Sequence, residues 1–308
     1  MNQSKRPLIL IIPIILAASL VVLAIVGLKQ INKPAKQTDT PSTTQSASVD
    51  QGTKHELSVR IPATGHTMPV DVYSPDCSAI DQSPVVIVSP GFQSRKEDQQ
   101  DLSRALQTAG YTVFTLSPVY NAVRPNEAER RDDLQNLIAQ INDPASEVHE
   151  SLATCSDPSH LGLAGHSAGG GTSLLTAAST DRVKAVVGLD AVVTAPGTRT
   201  DDSLDIRNYG SKVTAPTLIF QGAVQSCNDD ANQGLDLASL LGATVKATIR
   251  LPDSSHCDYL DTSLACSLLC GAVSQSNRAE VIRLTTRWFD VMLKGEEIKA
   301  DEFLDTSK

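Results

Sequence analysis

The sequence is poor in aromatic residues and in positive charge. Tryptophan, tyrosine and phenylalanine make up 4% of the 308 residues, which argues against a surface that binds nucleic-acid bases by stacking. Lysine and arginine number 26 against 35 aspartates and glutamates, so the formal net charge is −9. A body this acidic is unsuited to neutralising phosphates. The composition therefore excludes nucleic acid as a partner.

One long run without any charge lies near the N-terminus. Residues 7–28 are bracketed by Lys5, Arg6 and Lys29, and a helix of this length would span about 30 Å of hydrocarbon. The run exceeds the apolar core of about 7–15 residues that signal peptides use, and no convincing cleavage site follows it. We predict that residues 1–29 form a cytoplasmic tip and a transmembrane anchor, with cleavage after export as the alternative.

Behind this run the composition changes to that of a solvated linker. Residues 30–52 are rich in serine, threonine and proline and have little apolar surface to bury. The remaining residues, 53–308, show neither an internal repeat nor a second core. We therefore predict one globular domain there, outside the cytoplasm and either anchored to the membrane or secreted.

All six cysteines lie beyond the apolar run: Cys77, Cys155, Cys227, Cys257, Cys266 and Cys270. An even number of cysteines in an exported chain is typical of disulfides, although spacing alone does not choose the pairs. A zinc site at Cys266 and Cys270 is the competing interpretation. It is disfavoured because no second pair has ligand spacing.

Strands and helices alternate along the predicted domain. An antiparallel hairpin is expected from residues 56–62 and 68–74. Further strands are expected at 84–89, 111–116, 160–164, 182–189, 215–221 and 244–251, and helices at 97–109, 126–141, 170–179, 230–241 and 278–294. This alternation predicts an α/β fold with a mostly parallel sheet and helices on both faces. The segment after Asp190 is too short for a large cap.

Gly165–Gly169 match the G-x-S-x-G motif of a nucleophile elbow, with Ser167 at the centre. A predicted strand precedes the motif and a predicted helix follows it, which is the context that the motif requires. An oxyanion hole needs two backbone N–H groups near the serine. Ala168 would supply one and Phe92, in the loop after strand 84–89, the other.

A general base and an acid are needed to activate the serine. His256 directly follows the last predicted strand, whereas His166 adjoins the serine but is expected to face away on the turn. Asp190 ends the strand after the elbow helix and is the favoured acid. Asp229 and Asp230 remain the alternative acids, or caps of the following helix.

Four motifs resemble those of α/β-hydrolases in the dienelactone hydrolase-like branch. They are Ser89-Pro-Gly-Phe92, Gly165-His-Ser-Ala-Gly-Gly-Gly171, Val187-Gly-Leu-Asp-Ala191 and Ser254-Ser-His-Cys-Asp258. Within this branch the chain is similar to chlorophyllases, platelet-activating-factor acetylhydrolases and bacterial cutinases over about residues 65–294. The first two relatives carry the acid at the equivalent of Asp190. Cutinases carry it after the next strand, where this chain has Gln225.

The resemblance implies a serine carboxylic-ester hydrolase that forms an acyl-enzyme on Ser167, with His256 as base and Asp190 as its partner. Neither a metal nor a cofactor is required. The expected partner is an ester, whether lipid, small molecule or polyester. A serine peptidase on the same fold and a catalytically silent surface binding protein are the alternatives.

Overall fold

A sheet of eight strands organises the part of the chain that the computed structural model describes, namely residues 52–119, 127–193, 205–228, 236–261, 264–297 and 303. The strand order is β1-β2-β4-β3-β5-β6-β7-β8. The strands are β1 (Thr53–Ile61), β2 (His66–Ser74), β3 (Ser83–Ser89), β4 (Thr112–Leu116), β5 (Ser156–His166), β6 (Val183–Leu189), β7 (Thr217–Gln221) and β8 (Lys246–Arg250).

The first two strands form the expected antiparallel hairpin, in register from Thr53 opposite Ser74 to Ile61 opposite His66. Gly65 closes its turn at φ +74°, and its N–H donates to the carbonyl of Ile61 at 2.8 Å. Strand β2 also pairs antiparallel with β4. All later pairs are parallel, so the predicted mixed sheet is confirmed.

Helices cover both faces of the sheet. The α-helices of the described residues are α1 (Gln100–Thr108), α2 (Glu127–Ile141), α3 (Glu147–Glu150), α4 (Ala168–Ala177), α5 (Ile206–Tyr209), α6 (Leu237–Leu240), α7 (Leu264–Cys270) and α8 (Gln275–Lys294). Short 3-10 turns lie at Lys96–Gln99, Gly210–Lys212, Ser226–Asn228 and His256–Tyr259. A helix is predicted at residues 230–241. Within the described residues this region contains only the single turn of α6. Residues 229–235 lie outside the described residues.

Strand β3 shows why the core has two layers. Its side chains alternate between the faces: Val85 and Ile87 pack with apolar residues of α2 and α4. Val86 and Val88 pack on the other face with residues of α1 and α8. A strand buried on both sides needs an unbroken apolar run, and the sequence of β3 supplies one. Parallel strands so covered direct their carboxyl ends to a common edge, where ligands bind in such folds.

Three disulfides join the six cysteines in the pairs Cys77–Cys155, Cys227–Cys270 and Cys257–Cys266. The prediction of disulfides is confirmed. Three of the sulfur atoms, those of Cys257, Cys266 and Cys270, lie within 4.8 Å of one another. Each of them is oxidised in a disulfide, so this group does not offer the thiolates that zinc binds.

Within the described ranges, no helix combines the length and the hydropathy that crossing a bilayer requires. The predicted anchor, residues 7–28, and the linker up to residue 51 lie outside the described residues. Membrane attachment and the domain boundaries therefore stay predictions.

Candidate active site

Ser167 sits on a sharp turn between β5 and α4. Its backbone has φ 54° and ψ −125°, a left-handed conformation that costs energy in a residue with a Cβ. Two glycines permit the turn: a Cβ on Gly165 would lie 2.3 Å from the Gly169 carbonyl oxygen, and one on Gly169 would lie 2.2 Å from the Ser89 oxygen. The strained conformation is held by the Ser167 N–H, which donates to the Leu189 carbonyl at 3.0 Å.

Asp190 and His256 are in direct contact. The Asp190 Oδ2 lies 2.6 Å from the His256 Nδ1, and both side chains are buried. A carboxylate can only accept, so Nδ1 carries the proton and Nε2 is left with a free lone pair. Asp190 directly follows β6, whereas His256 opens the turn that comes after β8. The structure therefore brings the predicted acid and base together from distant parts of the chain.

The buried carboxylate of Asp190 has two further donors. The Gly222 N–H donates to its Oδ1 at 2.9 Å, and the Asn228 side chain donates to its Oδ2 at 3.2 Å. Several donors are what an ionised carboxylate needs in an apolar interior. Asp190 itself has a φ of 45°. The alternative acids, Asp229 and Asp230, lie outside the described residues.

His166, which sequence reasoning expected to face away, is buried against His256. The two imidazole centroids are 4.5 Å apart, and the His166 Nε2 lies 2.9 Å from the carbonyl oxygen of His256. A carbonyl only accepts, so His166 donates through Nε2. Burial lowers the pKa of His166 well below its usual range, and repulsion from His256 in its protonated form lowers it further. The ring of His166 is therefore neutral.

Gln225 also contacts the main chain of His256. With its amide oriented to satisfy both ends, the side-chain oxygen accepts from the His256 N–H at 2.8 Å and the nitrogen donates to the Cys270 carbonyl at 2.7 Å. Gln225 lies at the position where the cutinases that the sequence resembles carry their acid. Here the residue binds the backbone of His256, not its ring.

The loop after β3 packs closely against the elbow. A Cβ on Gly91 would lie 3.0 Å from both the Ser167 Cβ and the His166 Nδ1. The buried Arg130 donates to the Pro90 carbonyl at 2.8 Å and so holds this loop. Phe92 follows Gly91 and is half-buried, while Ala168 is the first residue of α4, where backbone N–H groups lack partners within the helix.

An apolar rim, defined here as Val224, Leu268 and Leu269, lies beside the turn of His256. Their exposed fractions are 71%, 76% and 80%. The loop of Val224 and the helix α7 that carries both leucines are joined by the Cys227–Cys270 disulfide and by the bond from Gln225 to Cys270. Large apolar side chains exposed on two joined segments make this rim a candidate binding surface.

The sequence pattern of the PET hydrolase-like family matches residues 30–269. The chain is 23% identical over 172 residues to Cutinase 1 of Thermobifida cellulosilytica and to the cutinase of Thermobifida fusca (strain YX). Each match covers 56% of this chain, and 59% and 52% of those proteins. The chain thus spans little more than half the length of these relatives.

Solved structures show the same fold. A dienelactone hydrolase from Anabaena variabilis superposes with a TM-score of 0.55 at 18% identity, over 78% of this chain and 99% of that one. DcsB, determined with a substrate analogue, superposes with a TM-score of 0.60 at 15% identity, over 78% of this chain and 100% of its own. At these identities the likeness concerns the fold alone.

Proposed function

Because the chain belongs to the PET hydrolase-like family, in the dienelactone hydrolase-like branch of the α/β-hydrolases, we propose that it hydrolyses carboxylic esters through an acyl-enzyme on Ser167. The observation that carries this proposal is the buried contact of His256 with Asp190 beside the strained turn of Ser167. A serine hydroxyl is a weak nucleophile until a base removes its proton. That base must have a free imidazole nitrogen.

In the proposed reaction the Nε2 of His256 takes the proton of Ser167 as the serine oxygen attacks the ester carbonyl. Asp190 keeps the proton on Nδ1 and stabilises the imidazolium that forms. His256 then gives its proton to the departing alcohol. A water molecule, deprotonated by the same nitrogen, hydrolyses the acyl-enzyme and frees Ser167. The N–H groups of Ala168 and Phe92 stabilise the negative oxygen of each tetrahedral intermediate.

Asp190 is the proposed acid because its side chain lies against His256 and is surrounded by hydrogen-bond donors. It accepts from His256, Gly222 and Asn228, and these donors stabilise the ionised form. Gln225 cannot carry a negative charge. In this proposal the acid follows β6, as it does in the chlorophyllases that the sequence resembles. It does not follow β7, where cutinases carry it.

The proposed substrates are esters of a water-insoluble phase, such as a polyester or a lipid aggregate. The apolar rim supports this class, since burying one leucine side chain stabilises a complex by about 2 kcal/mol. The α7 segment, Leu264–Cys270, contains no charged residue, which suits a neutral apolar surface. The names of the family and of the cutinase relatives are consistent with such substrates.

The proposed site of action is outside the cytoplasm, with the domain anchored by residues 7–28 or released by cleavage. The three disulfides support this location, because such bonds persist in oxidising compartments. Alkylation of the denatured, unreduced protein tests the pairing. Modification of all six cysteines would contradict it.

Hydrolysis of p-nitrophenyl butyrate by the full-length protein tests the proposed reaction. Ser167→Ala should lose turnover, whereas Ser179→Ala, beyond the end of α4, should retain it. Retention of activity by Ser167→Ala would refute the mechanism. Amide substrates separate the alternatives: comparable turnover of an amide would favour a peptidase, and absence of any turnover would favour a binding protein.

A further inference from the structure

We infer that His166 and Gln225 are positioning residues that hold the two backbone groups of His256 and thereby fix its ring for proton transfer. The inference rests on the proposed function, since it assigns these side chains a part in the same site. Neither residue contacts the reacting atoms in this scheme. Both act through the main chain of His256, one on its carbonyl and one on its N–H.

The contact of His166 comes from the nucleophile side. His166 is the last residue of β5 and directly precedes Ser167, so its ring is attached to the elbow itself. Its Nε2 donates to the His256 carbonyl at 2.9 Å, and the two ring centroids are 4.5 Å apart with the planes tilted by 43°. The Tyr259 ring lies 6.2 Å from His166 on a nearly parallel plane. The base is therefore positioned directly from the strand that carries the nucleophile.

The contact of Gln225 comes from the opposite side. His256 is the first residue of a 3-10 turn, and the N–H groups at such a start have no partner within the helix. Gln225 accepts this N–H at 2.8 Å and bonds Cys270 with its other end. Cys270 is in turn bonded to Cys227, two residues from Gln225. The amide is thus fixed at both ends.

Other bonds restrain the turn around His256 without using its own N–H or carbonyl. The side chain of Ser255 accepts from the Cys257 N–H at 3.2 Å, and Asp258 accepts from the Ser274 N–H at 2.6 Å. These bonds fix the turn as a whole. His166 and Ser255 together hold the peptide group after the His256 Cα, which contains the His256 carbonyl and the Cys257 N–H. Gln225 holds the His256 N–H of the preceding peptide group, whose Ser255 carbonyl accepts from the Asp258 N–H at 3.1 Å. A shift of about 1 Å there would cost up to 100-fold in rate.

The two residues can be tested by kinetics on p-nitrophenyl butyrate, with active sites counted by a fluorophosphonate. His166→Phe keeps an aromatic ring and removes the donor; we expect kcat per titrated site to fall about 10- to 100-fold with KM within about twofold. His166→Gln restores an N–H near the position of Nε2 and should recover kcat to within about threefold. His160→Phe, an exposed histidine in the first half of β5, should behave as wild type.

Gln225 provides a second, independent arm if His166→Phe does not fold. Gln225→Met removes both bonds at similar volume and should lower kcat without raising KM, while Gln225→Glu keeps the acceptor and should recover part of the loss. Gln140→Met, which removes an exposed hydrogen bond from the Gln140 side-chain amide to the Arg60 carbonyl, is the control. An unchanged kcat in His166→Phe or Gln225→Met overturns the inference, as does a failure of both conservative variants to recover activity.

A spectroscopic readout separates this inference from the proposed function. In ¹⁵N NMR of the full-length protein, His166 should carry its proton on Nε2 and should not titrate between about pH 5 and 8. A His166 that titrates there overturns the positioning role even if the protein hydrolyses esters. Absence of ester turnover by the wild type overturns the role together with the proposed function, whatever the NMR shows.

Discussion

Replacing Asp190 with asparagine should reverse the tautomer of His256 without changing the shape of the site. The Gly222 N–H, a backbone donor, lies 2.9 Å from the carboxylate Oδ1, closer than the Asn228 side-chain donor at 3.2 Å from Oδ2, so we expect the asparagine oxygen to take the Oδ1 position. Its NH2 group then faces His256 in place of Oδ2, which now lies 2.6 Å from Nδ1. A donor there forces Nδ1 to accept. The proton moves to Nε2, and His256 can no longer act as a base.

The expected loss follows from this geometry. A base in the wrong tautomer lowers kcat about 10⁴-fold, which corresponds to about 5 kcal/mol of activation free energy. The assay is hydrolysis of p-nitrophenyl butyrate by Asp190→Asn near neutral pH. KM should stay close to the wild-type value because substrate binding does not require the base. Asp181→Asn, an exposed carboxylate before β6, is the matched control.

A small effect of Asp190→Asn on kcat would contradict the assignment of Asp190 as the acid. If Asp190→Asn lowered kcat by less than about tenfold, another carboxylate would be the partner of His256 during the reaction. The double variant Asp229→Asn/Asp230→Asn would then show the large loss. If instead Asp190→Asn unfolded the domain, circular dichroism would show it, and Asp190→Glu would keep the charge and the acceptor for the same comparison.

Three further predictions concern the surroundings of the site. The double variant Cys227→Ser/Cys270→Ser opens a loop of 43 residues and should lower the free energy of unfolding in urea by about 4 kcal/mol; an unchanged midpoint would contradict the pairing. Gly169→Ala puts a methyl group 2.2 Å from the carbonyl oxygen of Ser89, the last residue of β3, and should lower the free energy of unfolding in urea by about 3 kcal/mol; wild-type stability would contradict this steric argument. Leu268→Ser/Leu269→Ser should adsorb at least about tenfold more weakly to a polyester film while hydrolysing soluble esters normally; equal loss on both substrates would exclude an interfacial role.

Local signals in the sequence predict the sheet, which the structure confirms, and indicate three residues of the candidate site. The continuous apolar run of β3 predicts a strand buried on both faces, and the structure has one at Ser83–Ser89. Ser167 was indicated by a motif whose glycines have a steric cause. Asp190 and His256 were indicated by their positions after predicted strands, because the carboxyl ends of parallel strands meet at one edge.

The remaining features depend on contacts that spacing does not encode. The pairing of Cys227 with Cys270 follows from how the β7 loop meets α7. His166 adjoins the nucleophile in sequence. Its hydrogen bond to the carbonyl of His256, 90 positions away, could not be inferred from a motif. In the sequence, Gln225 shows only that this chain lacks an acid at the position where cutinases carry one. Its bond to the His256 N–H depends on how the loop after β7 packs against the turn after β8, which the sequence does not reveal.

Covalent labelling tests directly whether Ser167 is an activated nucleophile. A fluorophosphonate reacts only with a serine that a neighbouring base activates, so the full-length protein should acquire one adduct, mapped by peptide mass spectrometry to Ser167. The adduct should be absent in His256→Ala and nearly absent in Asp190→Asn. An adduct on another serine, undiminished labelling of Ser167 in His256→Ala, or no labelling of the wild type would contradict the account.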